Sequence, residues 1–236
     1  MAYQMTFQRY ELKYLLTKSE KEAVRKEMEP YMKLDKYGRT TIRNIYLDTE
    51  SFRLIRTSME KPVYKEKIRI RSYREVQGAD PVFVELKKKY KSVVYKRRLV
   101  TSETEAMHSF LGETKLAEDS QIGREISYFR SYYGTLRPTV FLTYEREAYY
   151  ALDGSDFRVT FDENILYRTS DFSLGSKVYG TPILKEGESL MELKVSGGIP
   201  LWMTHILAAH QLYKTSFSKY GTAYVQMKKK MEGAIK

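Results

Sequence analysis

The chain contains no cysteine among its 236 residues, which excludes disulfide bonds, thiolate metal sites and cysteine nucleophiles. Histidine is scarce as well. His205 and His210 are five residues apart, whereas two histidines that bind one metal from a helix are four apart, and His108 stands alone. No histidine has a readable spacing to Ser216 or Ser218, so a serine hydrolase triad is not indicated.

Glycine-rich phosphate loops and long apolar runs are also missing. Gly197 and Gly198 follow a predicted strand, but no Lys-Ser/Thr pair comes after them, and we interpret them as a turn. No run approaches the roughly 18–20 apolar residues that cross a bilayer. Residues 1–5 lack the basic region and apolar run that open a signal peptide. We therefore expect a cytoplasmic protein without a membrane anchor of its own, which leaves a membrane-protein partner open.

Positive charge is what the chain has in excess. It has 41 Lys and Arg against 30 Asp and Glu, a formal net charge of +11, and 42% of its residues are hydrophobic. The charge favours an anionic partner such as a nucleic acid, a phosphorylated metabolite, polyphosphate or an acidic membrane. The length and the apolar content predict one folded domain over residues 1–236.

The cations follow the period of a β-strand. Lys67, Arg69 and Arg71 alternate with two isoleucines, which places the three charges on one face of a strand. Further charged rows are Arg9, Glu11 and Lys13; Glu85, Lys87 and Lys89; and Lys96 with Arg98. Such rows can line the inside of a barrel covered by helices, or form the solvated face of a sandwich. The alternation alone fits both arrangements.

Eight segments have the alternation or the β-branched and aromatic content of strands, and an even number of strands can close into a barrel. They are residues 5–16, 40–48, 63–74, 82–90, 92–101, 138–150, 156–163 and 189–196. Predicted helices cover residues 50–59, 102–112, 120–133, 200–212 and 218–231, and another follows a capping box at Thr17 and runs to about Met32. Residues 164–188 are predicted to form a loop or lid. The fold class is α+β.

The charged rows suit phosphate. Arginine forks bind phosphate oxygens in two places at once, and lysines add point charges. Glu11, Glu85 and Glu192 each lie beside cations, where they could bind Mg²⁺ or Mn²⁺ or form ordinary cross-strand ion pairs. Nucleic acid is not expected, because the tyrosines mostly alternate opposite the cations and no nucleic-acid module is recognisable.

A series of short motifs then carries a resemblance. In chain order they are Arg9-x-Glu11-x-Lys13-Tyr14, Tyr46-Leu47-Asp48, Lys67-Ile68-Arg69-Ile70-Arg71, Phe83-Val84-Glu85-Leu86-Lys87, Lys96-x-Arg98, Tyr144-x-Arg146, Arg158-Val159-Thr160-x-Asp162, Glu192-x-Lys194 and Ser218-Lys219-Tyr220. In this order, over about residues 5–225, the sequence resembles the VTC domain. This is the catalytic domain of polyphosphate polymerases of the vacuolar transporter chaperone type, in the CYTH/triphosphate tunnel metalloenzyme superfamily.

The resemblance implies an eight-stranded antiparallel β-barrel, the tunnel fold, with a charged lumen and helices outside. It also implies transfer of the terminal phosphoryl group of ATP to polyphosphate, with Mn²⁺ or Mg²⁺. By position, Arg69 and Arg71 would hold the phosphate in transit, Glu192 the metal, and Ser218 with Lys219 would close over the phosphates. The implied substrate-binding residues are Arg9, Lys13, Lys67, Lys87, Lys89, Lys96, Arg98, Tyr144, Arg146, Arg158 and Lys194.

Two departures bear on the reaction. Arg9 stands where hydrolytic relatives carry the first glutamate of a Glu-x-Glu-x-Lys strand, which favours a polymerase or a binding domain over a hydrolase. Lys89 stands where polymerases of the family can carry histidine. The alternatives are a hydrolase of inorganic triphosphate or nucleoside triphosphates, and a non-catalytic domain that binds or senses polyphosphate. The expected ligands are ATP, polyphosphate and pyrophosphate or triphosphate.

Overall fold

Ten β-strands and six α-helices make up the part of the chain that this computed structural model describes, residues 6–112, 114 and 120–233. The strands are β1 (Thr6–Leu16), β2 (Met32–Leu34), β3 (Thr40–Asp48), β4 (Tyr64–Ser72), β5 (Val82–Tyr90), β6 (Val93–Thr101), β7 (Arg137–Ala151), β8 (Arg158–Arg168), β9 (Thr181–Pro182) and β10 (Ser189–Val195). The helices are α1 (Lys18–Met28), α2 (Arg53–Met59), α3 (Glu103–Leu111), α4 (Gln121–Tyr133), α5 (Leu201–Ala209) and α6 (Lys219–Gly233).

Eight strands form a closed antiparallel ring. The order is β7-β3-β4-β5-β6-β1-β10-β8, and β8 pairs back onto β7. The short strands β2 and β9 add to β7 and β8 outside this ring. The predicted α+β class and the tunnel arrangement are thereby confirmed, and the ring consists of the eight strands that the alternation indicates.

The charged rows face the inside of the ring. Ile68 and Ile70 of β4 are fully buried on the outer face, where they belong to an apolar cluster with Phe110 of α3 and Phe129 of α4. Helices α1 and α5 cover β1 and β10 in the same way. Because helices pack on the outer face, the alternating cations of these strands are left to the lumen. The solvated-face alternative is therefore wrong.

Helices cover part of one end of the ring and contribute apolar side chains there. Leu142 and Leu190 lie on the lumen side of β7 and β10, and there they pack with Ile55 of α2 and with Tyr220 and Met227 of α6. At the opposite end, where the loop between β4 and β5 begins, Tyr73 and Tyr37 line the cavity and are 39% and 64% exposed. The lumen therefore has one partly covered end and an open mouth lined by exposed tyrosines.

Segment 164–188 is mostly the predicted loop and differs from the prediction in part. Residues 164–168 extend β8, and β9 lies further along. Leu174 is buried in the outer apolar cluster, and its carbonyl accepts a hydrogen bond from Arg43 Nη1 at 3.1 Å. This segment covers the outer face of the ring and is not a lid over the lumen.

Some boundaries also differ. The capping box of α1 is present, with Glu20 Oε2 accepting from the Thr17 backbone N–H at 2.7 Å, but the helix ends at Met28 and not near Met32. Helix α5 ends at Ala209. The predicted start of β1 at residue 5 lies outside the described residues. No helix within the described ranges is long and apolar enough to span a membrane.

Candidate functional site

The lumen is a cavity of about 1990 Å³ whose described lining is strongly cationic. Seventeen lysine and arginine side chains line it, against five carboxylates. The structure brings together every residue that the sequence assigns to the site. These are Arg9, Glu11, Lys13, Lys67, Arg69, Arg71, Glu85, Lys87, Lys89, Lys96, Arg98, Tyr144, Arg146, Arg158, Glu192, Lys194, Ser218 and Lys219.

Glu85 organises one wall of the cavity. Its side chain has no solvent exposure, and each carboxylate oxygen accepts from an arginine: Arg69 Nη2 at 2.7 Å and Arg98 Nη2 at 2.6 Å. Lys96 and Arg71 approach the same carboxylate at 3.4 and 3.5 Å. Burial acts to raise the pKa of Glu85, but these four cations outweigh it and hold the pKa well below its ordinary value. Glu85 is thus an ionised anchor for the cations around it.

Three polar residues complete the orientation of the arginines. Tyr46 OH accepts from Arg69 Nη1 at 2.9 Å, and Asn44 Oδ1 accepts from Arg71 Nε at 2.8 Å. Tyr144 OH accepts from Arg71 Nη2, also at 2.8 Å. Since a guanidinium has five N–H donors, both arginines keep donors for a ligand.

A second acidic centre lies on the wall formed by β8 and β10. Asp162, which is fully buried, forms a two-pronged ion pair with Arg146 at 2.5 and 2.6 Å. Lys219 bridges Asp162 at 2.5 Å and Glu192 at 3.1 Å. Glu192 also pairs with Lys194 at 3.1 Å. The two carboxylates thereby hold Lys219 at the start of α6 inside the lumen.

A buried hydrogen bond between Tyr220 and Asp48, called the latch below, fixes the start of helix α6 at the lumen. Tyr220 OH donates to Asp48 Oδ2 at 2.9 Å, and its ring stacks on Tyr46 at 4.6 Å between centroids. Ser218 Oγ accepts from the Gly221 backbone N–H at 3.1 Å and therefore caps α6. Ser218 also accepts from Lys67 Nζ at 2.9 Å. The N-terminus of α6, which favours anions, therefore lies among the lumen cations.

Several lysines of the cavity have depressed pKa values because they are buried beside like charges. Burial, followed by Lys13 and Lys87, lowers the pKa of Lys67 well below its ordinary value. Burial lowers the pKa of Lys96 to about 7, with Arg98 acting in the same direction against Glu85. Burial and Arg146 lower the pKa of Lys194 to about 8. A polyanion in the lumen would relieve this repulsion.

Sequence reasoning misses Asp162, Asn44 and Tyr46 as parts of the site. Asp162 and Tyr46 stand within two of the ordered motifs, so the sequence points to these residues but assigns no role to either. Asn44 lies two residues before Tyr46 on β3, and the period of a strand places the two on the same face. Only the pairing of β3 with β4 shows that this face meets Arg71.

The carboxylates provide a limited donor set for a divalent cation. Among the described residues, no three Asp, Glu, His or Cys side chains come together as a metal centre. Glu11 and Glu192 face the same lumen, and Lys87, at 2.7 Å from Glu11, lowers the pKa of Glu11 to about 2 even though burial acts to raise it. Mg²⁺ often takes only one or two carboxylates beside substrate phosphates, so these two residues fit such an ion. Glu85 fits less well, because arginines hold its two oxygens at 2.7 and 2.6 Å, whereas the cations around Glu192 lie at 3.1 to 3.5 Å.

The fold has relatives among solved structures. An adenylate cyclase-like protein from Bacillus halodurans superposes with a TM-score of 0.57 at 14% identity, covering 91% of this chain and 96% of its own. An adenylyl cyclase-like protein from Hippeastrum, described as having a dominant triphosphatase activity, superposes with a TM-score of 0.53 at 16% identity, covering 90% and 93%. At these identities the similarity shows a shared fold. A search of curated proteins finds no match.

A family model gives the sequence relationship. The model of the VTC domain matches residues 8–228, which include every charged row of the lumen. The resemblance seen in the ordered motifs is confirmed, and the chain belongs to the VTC domain family.

Proposed function

We propose that this protein is an ATP-dependent polyphosphate polymerase that transfers the terminal phosphoryl group of ATP to a polyphosphate chain inside the lumen. The observation that carries the proposal is the convergence of Arg69, Arg71, Lys67 and Lys219 in one buried, cation-rich cavity. Phosphoryl transfer depends mainly on alignment and on stabilisation of the charge on the moving group. A cavity lined by fixed cations supplies both.

The arginines are oriented before substrate arrives. Arg69 is fixed by Glu85 and Tyr46, and Arg71 by Asn44 and Tyr144, so their remaining N–H groups have a set direction. Donors that are already oriented cost no reorganisation during the reaction. In this proposal the two arginines hold the γ-phosphate, and Lys219, tied to Asp162, adds positive charge from the start of α6.

The state of the carboxylates favours transfer to phosphate over transfer to water. Glu11, Glu85, Asp162 and Glu192 each form an ion pair with at least one lumen cation. A water nucleophile needs a general base, and a carboxylate held by cations at a depressed pKa is a weak one. The terminal oxygen of a polyphosphate is already anionic and needs no deprotonation.

A divalent ion fits the proposal. When bound by Glu192 and Glu11 with phosphate oxygens, Mg²⁺ or Mn²⁺ would neutralise phosphate charge and polarise the phosphoryl group. The lumen lysines Lys13, Lys87 and Lys194 surround these two carboxylates, so they would contact phosphates next to such an ion.

The test is the product of the reaction. Purified protein is incubated with ATP and Mn²⁺ or Mg²⁺, and the phosphate products are separated by gel electrophoresis. Long chains together with ADP are the expected result. ADP with free phosphate and no chains would instead assign a triphosphatase, the activity described for the Hippeastrum relative. Binding of polyphosphate without turnover under either metal would leave a binding domain.

A further inference from the structure

The open mouth of the lumen carries an aromatic side chain that no part of the proposed phosphate site uses. Tyr73 follows directly after β4 and continues the inward row of Lys67, Arg69 and Arg71 at the same two-residue spacing. It lines the cavity and is 39% exposed. An aromatic ring that faces a cationic cavity and stays partly open to solvent is typical of a base-stacking position.

The ring of Tyr73 is held in place by its neighbours. Arg98 Nη2 donates to Tyr73 OH at 2.5 Å, and the ring meets Phe83 edge to face, with centroids 5.6 Å apart and an interplanar angle of 72°. The guanidinium groups of Arg71 and Arg98 lie 5.8 and 5.5 Å from the centre of the ring. A fixed aromatic ring loses little freedom when a ligand stacks on it, so Tyr73 is preorganised for binding.

The order of side chains along β4 matches the order of groups in a nucleoside triphosphate. From the open mouth inwards the row is an aromatic ring, two arginines and a lysine, with successive members about 6–7 Å apart along the strand. A nucleotide has its base at one end and its phosphates in a row behind it. Tyr37, 64% exposed before the start of β3, adds a second ring to the lining, and the antiparallel pairing of β3 with β4 puts it at the same end as Tyr73.

The other end of the lumen offers different chemistry. Helices α2 and α6 cover part of it, and its accessible rim carries Lys61, Lys65 and Lys89. Lysines suit a phosphate chain and give a base nothing to stack on. The two ends therefore differ in the part of the substrate that each one fits.

We propose that Tyr73 is the platform on which the base of ATP stacks at the open mouth, so that the triphosphate points inwards to Arg71 and Arg69. This inference rests on the proposed function, since it assigns the nucleoside subsite of the same cavity. In that arrangement the lysine-lined end is left for the phosphate chain.

The experiment compares two ligands that share a triphosphate and differ in the nucleoside. Dissociation constants of ATP and of inorganic triphosphate are measured by calorimetry for the wild type, Tyr73→Ala and Tyr73→Phe. Tyr73→Ala is expected to weaken ATP roughly ten- to a hundred-fold, the range for loss of one stacked base, and to leave inorganic triphosphate unchanged. Tyr73→Phe keeps the ring face and is expected to retain ATP affinity.

Three other outcomes would overturn the inference. An unchanged ATP affinity in Tyr73→Ala would show that the base does not use this ring. An equal loss for both ligands would show that Tyr73 acts only by supporting Arg98. If the wild type bound neither ATP nor inorganic triphosphate, the proposed function itself would be wrong. The first two outcomes concern Tyr73 alone, because they compare a variant with a wild type that binds.

Discussion

At the scale of single residues, the cationic wall depends on Glu85. Its carboxylate is fully enclosed and holds Arg69 and Arg98 at 2.7 and 2.6 Å. Burying a charge is costly unless it is paired, and here each partner satisfies the other. Removing the carboxylate leaves several buried cations facing one another without compensation.

We expect Glu85→Gln to lower the free energy of unfolding by about 3–5 kcal/mol, as when one partner of a buried ion pair is removed. Urea unfolding followed by circular dichroism measures the change. The matched control is Glu50→Gln. The Glu50 side chain is 85% exposed and pairs with Arg137 at 3.1 Å, so the change there should stay below about 1 kcal/mol. Similar small effects for both variants would mean that Glu85 does not anchor the wall.

The sequence predicts the cations of the site better than their partners. Alternation identifies Lys67, Arg69 and Arg71 because three like charges at a spacing of two stand out. Asn44 and Tyr73 stand out less, since Asn44 is a single amide on a different strand, and Tyr73 continues the two-residue spacing but carries no charge. Their roles follow from strand pairing, which brings together residues that are distant in the chain.

At the scale of elements, α6 is tied to the site by its first turn. Asp48 accepts the backbone N–H groups of Leu54 and Ile55 from α2, at 2.9 and 3.0 Å, as well as the hydroxyl of Tyr220 from α6. One buried carboxylate thus joins two helices at the covered end of the ring. Lys219 immediately precedes Tyr220, so the latch also determines where its ammonium group lies.

We expect Tyr220→Phe to reduce stability by about 1–3 kcal/mol, because Asp48 loses a buried hydrogen bond. The turnover of ATP should fall as well, since Lys219 is no longer held in register. Chemical unfolding and a steady-state assay measure the two effects. Tyr213→Phe, at a side chain that is 80% exposed, serves as the control and should change neither. Full activity in Tyr220→Phe would contradict a role of the latch in the site.

The elements that sequence reasoning misses are short or fixed by distant contacts. Strands β2 and β9 have three and two residues, too few for any period to be visible. Segment 164–188 has no periodic pattern in its sequence, because its position is fixed by distant contacts such as the burial of Leu174 against the outer face. Helix α1 ends before Pro30, since proline lacks the N–H that a further turn of the helix would need.

At the scale of the whole molecule, closure of the ring determines which face of each alternating strand lines the cavity. Neither β4 nor β5 alone shows which of its faces meets solvent. Closure of eight strands and the cover of helices over Ile70 and Val84 settle the direction, and both depend on contacts across the full length of the chain. The cost is a lumen in which like charges are crowded together.

This crowding predicts an unusual dependence of stability on pH. The pKa of Lys96 is about 7 and that of Lys194 about 8 in the folded protein, whereas an unfolded lysine has a pKa of about 10.4. Between about pH 7 and 9 the unfolded chain therefore binds more protons than the folded one, and the stability of the free protein should rise with pH. Urea unfolding across this range measures it.

A bound phosphate chain should flatten this profile, because its charge restores the pKa values of the lysines. The same unfolding series with inorganic triphosphate is the comparison, and the double variant Lys96→Gln with Lys194→Gln is the control for the free protein. If the stability of the free protein instead fell from pH 7 to 9, the pKa values of Lys96 and Lys194 would not be depressed by the crowding of charges.

The most direct test of phosphoryl transfer in the lumen is to follow the γ-phosphate. ATP labelled at that position is incubated with the wild type, with Arg69→Ala/Arg71→Ala, and with Arg137→Ala, whose arginine pairs with Glu50 outside the cavity lining; circular dichroism confirms that each is folded. The account predicts label in long chains for the wild type and Arg137→Ala, and a loss of at least about 10²–10³ in rate for the double variant. Label entering chains at an undiminished rate without Arg69 and Arg71 would contradict it.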